Sequence, residues 1–88
     1  MVIERYLRGP GPVYARAAAQ GRMLPDGLKY VSSWVVDDAR MDRCYQLMET
    51  ADPALLEAWF ERWHDLVSFE VVPVITSAQA AAQWSSEP

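Results

Sequence analysis

Leu28-Lys29-Tyr30-Val31-Ser32-Ser33-Trp34-Val35-Val36 is followed, after the polar cluster Asp37 to Asp42, by Arg43-Cys44-Tyr45-Gln46-Leu47-Met48-Glu49-Thr50. Both segments carry the β-branched and aromatic residues that suit a pleated, half-buried surface, and the polar break between them reads as the turn of a hairpin. Val31, Ser33 and Val35 alternate with Tyr30, Trp34 and Val36, while Tyr45 and Leu47 alternate with Cys44 and Met48. Both faces of this hairpin are therefore largely apolar. A sheet covered by helices on one side only shows polar residues on the other, so the second face calls for a second covering layer.

Downstream of the hairpin, Asp52-Pro53 is strong punctuation: aspartate suits an N-cap and proline the first helical position. Leu56, Trp59, Phe60, Trp63 and Val67 then recur at helical spacing and predict a helix over 53–67. Phe69 to Ile75 reads as the last strand, and Ser77 opens a C-terminal tail, 77–88, with a short helix running through the alanines to Trp84. Upstream, Pro25-Asp26-Gly27 makes a turn. Before it a helix is predicted from Pro12 to Leu24, with Gly11 as N-cap and Val13, Ala17 and Leu24 on its apolar side. Residues 1–8 form the first strand.

The resulting order is βαββαβ, a single ferredoxin-like α+β domain over 1–76. Short right-handed connections turn that order into an antiparallel sheet, 4-1-3-2, with both helices on one face. Pro73, placed inside the fourth strand, fits an edge position, where a missing ladder donor is tolerated.

With 88 residues the chain has room for one domain, and such a domain buries only about 60 to 65 per cent of its unfolded surface. Supplementary crosslinks are not on offer: Cys44 is the one cysteine and His64 the one histidine, so neither a disulfide nor a Cys/His zinc site can form within the chain. No metal or other cofactor is expected. Association with a second copy is the remaining source of stability.

The net charge of -4 is the wrong sign for nucleic-acid binding. Its distribution is uneven, because residues 1–25 sum to +3 (Arg5, Arg8, Arg16 and Arg22 against Glu4) and residues 26–88 to -7 (four bases, eleven acids). The two halves should attract, within a chain or between chains. Met1-Val2-Ile3-Glu4-Arg5 enters charged sequence at once, unlike a secretory signal, and the uncharged run Val71 to Ser86 is broken by Pro73 and is too polar for a membrane span. A cytoplasmic protein without membrane contact is the expectation.

The run Gly21-Arg22-Met23-Leu24-Pro25-Asp26-Gly27-Leu28 followed by Tyr30-Val31-Ser32-Ser33-Trp34 resembles the domain of unknown function 3303 family. Cys44, Gln46 to Glu49, Trp59, Arg62-Trp63, Asp65 to Val67 and Phe69 to Val74 extend the resemblance over about positions 1–80. It implies a dimeric α+β barrel, in which two such sheets pack face to face. Better-known members of that group include cofactor-independent monooxygenases, muconolactone-isomerase-like enzymes, polyketide cyclases and haem-degrading enzymes, so the resemblance is specific for family and nearly silent on activity.

No residue pattern reaches a catalytic signature. His64 falls beside Glu57, Glu61 and Asp65, away from the Trp59/Phe60/Trp63 stripe, and reads as a solvated histidine rather than a ligand or base. Cys44, in an apolar strand, reads as an inert buried thiol. Glu4, Glu49 and Glu70 lie in strands, where burial would raise a carboxyl pKa and make a base; exposure or arginine pairing is the simpler reading.

Trp34, Trp59 and Trp63 are placed where sheet and second helix meet. They are either core packing or, with Gln46, the lining of a mostly apolar pocket in which Gln46, Ser32 and Ser33 satisfy the indole donors. The expected function is binding of a small apolar or aromatic molecule between sheet and helices by a homodimer, with Trp34, Gln46, Trp59 and Trp63 as ligand-binding residues. A cofactor-independent monooxygenase, isomerase or cyclase acting on an aromatic or polyketide-like substrate is the enzyme alternative, with catalytic residues unassigned. An interaction module with a filled core is the third.

Overall fold

The computed structural model describes residues 1–86. Its elements are β1 (Val2–Tyr6), α1 (Pro10–Gln20), β2 (Lys29–Val35), β3 (Arg43–Glu49), α2 (Ala54–Phe60), β4 (Val67–Val71) and α3 (Ser77–Ser86). The four strands form one antiparallel sheet in the order β2-β3-β1-β4, which is 4-1-3-2 read from the other edge. The domain is ferredoxin-like α+β.

Strand register sorts the side chains by face. Pairing of Val2 with Gln46 and Val71, Glu4 with Cys44 and Phe69, and Tyr6 with Val67 puts all of these on the side covered by helices. Ile3 with Tyr45 and Glu70, and Trp34 with Tyr45, form a row across the opposite, open face. The hairpin does not alternate simply: a bulge at Val31, between the pairs Tyr30–Met48 and Ser32–Leu47, shifts the register by one residue. An extra residue in one strand reverses the facing on one side of it. Tyr30 thereby joins Ser33 on the covered face, where its hydroxyl lies 2.8 Å from Ser33 Oγ, instead of joining Trp34 on the open one.

Helix ends differ from the sequence expectation. Gly9, at φ 74°, turns the chain into α1, which starts with Pro10 rather than Pro12. Both prolines sit in the first turn, where no intrahelical donor is required. The helix stops at Gln20, before Gly21 at φ 69°. At the start of α2, Asp52 Oδ1 accepts from Ala54 N at 3.0 Å, the capping bond the Asp-Pro pair implies.

That second helix ends at Phe60, short of the predicted Val67. Beyond it the bonds Arg62 N to Trp59 O and Trp63 N to Phe60 O are i to i+3, so the chain continues as tight turns into β4. This early start of β4 leaves Pro73 beyond the strand rather than inside it; Val71 is its last residue. The strand is still an edge.

The core is Val2, Tyr6, Val13, Leu28, Cys44, Trp59, Trp63, Leu66 and Val67, between sheet and helices. Arg16 of α1 grips Asp65 with two bonds of 2.8 and 2.7 Å, a contact between the basic first quarter and the acidic remainder. Phe60 and Phe69 stack at 4.2 Å and close the end near β4. No helix among the described residues is long and apolar enough to cross a membrane.

Candidate functional site

Under α1 and α2 the covered face is not completely filled. A cavity of about 220 Å³ lies between it and the helices. Its apolar wall comes from Val13 and Ala17 of α1, Val35 of β2, Trp59 and Trp63. Its polar wall is Glu4 and Tyr6 of β1, Cys44 and Gln46 of β3, Ser33 of β2, and Arg22 from the loop after α1.

Glu4 lies at the centre of the polar wall because β1 is an inner strand and its Val2-Glu4-Tyr6 side faces the helices. It is 5% exposed. Gln46 Nε2 donates to Glu4 Oε1 at 2.8 Å, and Gln46 Oε1 accepts from Arg22 Nε at 3.3 Å. A cation is thus linked to the carboxylate through a neutral amide, while the only ion pair among the described residues is Arg16–Asp65. Burial raises the Glu4 pKa above the ordinary glutamate range, against the lowering influence of Gln46, the Cys44 thiol and Arg22. Burial also pushes the Cys44 thiol up to about 11 and drives the Tyr6 hydroxyl well above its usual range, so both stay protonated at neutral pH.

The loop from Gly21 to Leu28 forms one end of the cavity and is fixed from α2. Trp59 Nε1 and Trp63 Nε1 both donate to the Arg22 carbonyl, each at 2.9 Å, and Arg62 donates to the Met23 carbonyl. One carbonyl has two lone pairs and satisfies both indoles. Met23 holds φ 58°, a left-handed conformation uncommon outside glycine. From this loop the Arg22 guanidinium stacks over the Tyr30 ring at 3.6 Å, in a position made available by the bulge.

Of the four ligand-binding residues expected from sequence, Gln46, Trp59 and Trp63 line the cavity and Trp34 does not. Trp34 is 54% exposed on the open face, beside Tyr45 and away from the cavity. The expected indole partners are corrected too: a loop carbonyl takes both donors, and Gln46 is occupied by Glu4 and Arg22. His64 is exposed, its Nδ1 2.8 Å from the Glu61 carbonyl oxygen, and Cys44 is buried. Glu49 and Glu70 are exposed, which leaves Glu4 as the buried acid.

Sheet order and helix placement define a ferredoxin-like α+β domain, with a mainly apolar cavity between its sheet and its helices. The family model described as a domain of unknown function (DUF3303) matches residues 1–87, and the chain belongs to that family. No curated protein and no solved structure matches it.

Proposed function

We propose that this protein binds a small, mainly apolar or aromatic molecule in the cavity between sheet and helices, and does so as a homodimer joined through the open sheet face. The observation that carries the binding reading is the cavity itself, about 220 Å³, with an indole-lined apolar wall facing a compact polar cluster. An apolar cavity of about 150 Å³ takes a benzene ring, so this one has room for a ring with a short substituent. Apolar walls with a few placed polar groups are the usual composition of small-molecule sites.

The homodimer reading rests on the open face. Ile3, Trp34, Tyr45 and Leu47 lie there with Arg5 and Arg43 in one row and with Glu49 and Glu70 elsewhere on the same face, so a second copy offers matching apolar surface and opposite charges. The segment after β4 leaves Val72, Val74, Ile75 and Trp84 exposed as further apolar surface for the same partner.

Thermal unfolding with benzyl alcohol, indole and glucose tests the binding. A ligand that binds only the folded state stabilises it by about 1.4 kcal/mol at ten times its Kd. The two aromatics should raise the melting midpoint, glucose should not, and Ala17→Phe, which fills the cavity, should abolish the shift. An unchanged midpoint with both aromatics, and no small molecule released on denaturing the purified protein, removes this reading.

A further inference from the structure

We propose that Glu4 moves a proton on the bound molecule: the cavity takes a small aryl or cyclic ketone, and the carboxylate removes and returns a proton on the carbon next to the carbonyl. This rests on the cavity being a ligand site, and adds to it a reaction and a substrate class.

The placement of Glu4 is costly for a structural residue. The residue is 5% exposed and its carboxylate is held by an amide, not by a cation in contact, although a buried charge without a direct counter-ion is destabilising. Such groups concentrate where a fold needs a base poised near the working pH. One oxygen is oriented by Gln46 Nε2, and Gln46 is itself oriented by Arg22, so the rotamer is fixed through a chain of two bonds. The carboxylate borders the cavity that the indoles and Val13 surround, where an apolar ring would be held beside it.

The remaining polar groups suit the other half of the step. When the carboxylate takes the proton, the C–H electron pair becomes the carbon–carbon double bond and the carbonyl π pair moves to oxygen, giving an enolate. That oxygen needs donors. The Arg22 guanidinium lines the same cavity and can supply them, joined by the Tyr6 hydroxyl, kept protonated by burial, once that hydroxyl turns from the Cys44 sulfur to which it donates. Glu4 then returns the proton to the same carbon, or, in a β,γ-unsaturated ketone, to the γ carbon so that the double bond moves into conjugation. Atoms and electrons balance without any co-reactant.

The titratable or charged groups around Glu4 are Tyr6 on its own strand, Cys44 on β3, Tyr14 on α1 and Arg22 in the loop. Burial raises the Glu4 carboxyl toward neutrality and pushes the Tyr6 hydroxyl and the Cys44 thiol further above it, so the rate should rise with pH along one ionisation lying above the ordinary glutamate range.

The test uses phenylacetone in deuterated buffer, with α-proton loss followed by NMR and binding followed in the same sample by saturation transfer from the tryptophan ring protons. General-base catalysis contributes about 10²- to 10⁴-fold, so exchange should exceed the buffer rate by about a hundredfold or more. Glu4→Gln should return it to near the buffer rate while saturation transfer persists, and Glu4→Asp should retain part of it. Should Glu4→Gln not fold, the wild-type pH profile and Glu4→Asp carry the test. Binding with exchange at the buffer rate, or equal exchange in Glu4→Gln, overturns the proton-transfer proposal and leaves the binding reading intact. Absence of saturation transfer overturns both.

Discussion

Glu4 also ties the stability of the fold to pH, with a definite sign. Its pKa is raised in the folded state, so the native protein holds the proton more tightly than the unfolded chain does. The associated stability is fully present below the unfolded glutamate pKa and is lost as pH rises through the folded value. Glu4→Gln keeps the shape and lets Gln46 donate as before, but removes the ionisation. Its melting midpoint should match wild type near pH 4 and exceed it at pH 8. A variant less stable than wild type at pH 8 shows that the carboxylate is a net stabiliser. The position was partly legible in sequence, because Val2-Glu4-Tyr6 is the apolar side of an inner strand. What separates Glu4 from Glu49 and Glu70 is strand order and register, which no local pattern reveals. The target of the Trp59 and Trp63 donors was hidden for a different reason: a backbone carbonyl carries no residue identity.

At the scale of elements, the loop between α1 and β2 is held by backbone conformation as much as by contacts. Gly27 sits at φ +92°, and a Cβ there would lie 2.9 Å from Leu55 Cδ1, so Gly27→Ala meets both a disfavoured φ and the side of α2. Strain of this kind costs about 1 to 3 kcal/mol, to be read as a lower urea midpoint with unchanged slope. If the midpoint does not move, the loop is free to relax and does not fix Arg22. Sequence reading found the turn at Pro25-Asp26-Gly27, the hairpin and the Asp52 cap because each has local chemistry. It missed the Val31 bulge, since bulge and regular strand share composition, and it overran α2 because Trp63 and Val67 keep helical spacing after the bonds have changed from i+4 to i+3. The same overrun moves the expected start of β4 from Val67 to Phe69 and puts Pro73 inside the strand.

For the whole molecule, the order of the sheet was readable because six elements and short right-handed connections leave few topologies. The arrangement beyond one domain is not encoded in that way, but the shape points outward. A compact chain of this length has a radius of gyration of about 12 Å, whereas this one has 15.1 Å and extents of 50 × 32 × 17 Å. The excess accompanies an exposed segment over residues 70–85, in which Trp84 is 82% exposed.

A second copy placed on the open face would cover Trp34, Tyr45, Ile3 and Leu47, and sedimentation velocity at micromolar concentration should accordingly give a dimer. Trp34→Lys is the decisive variant. Trp34 is more than half exposed in one copy, so the substitution should cost the isolated fold little, within about 0.5 kcal/mol as for surface changes generally. In a two-fold interface, however, each substitution is counted twice. A central tryptophan contributes about 2 kcal/mol or more, so two of them weaken association by about 4 kcal/mol, close to a thousandfold in Kd. The variant should sediment as a monomer with an unchanged far-UV spectrum. Deleting residues 77–88 should weaken the dimer less, because the sheet face remains. A monomeric wild type, or a Trp34→Lys dimer as tight as wild type, would show that the open face is not where two copies meet; ligand binding on the other side of the sheet would be untouched by that result.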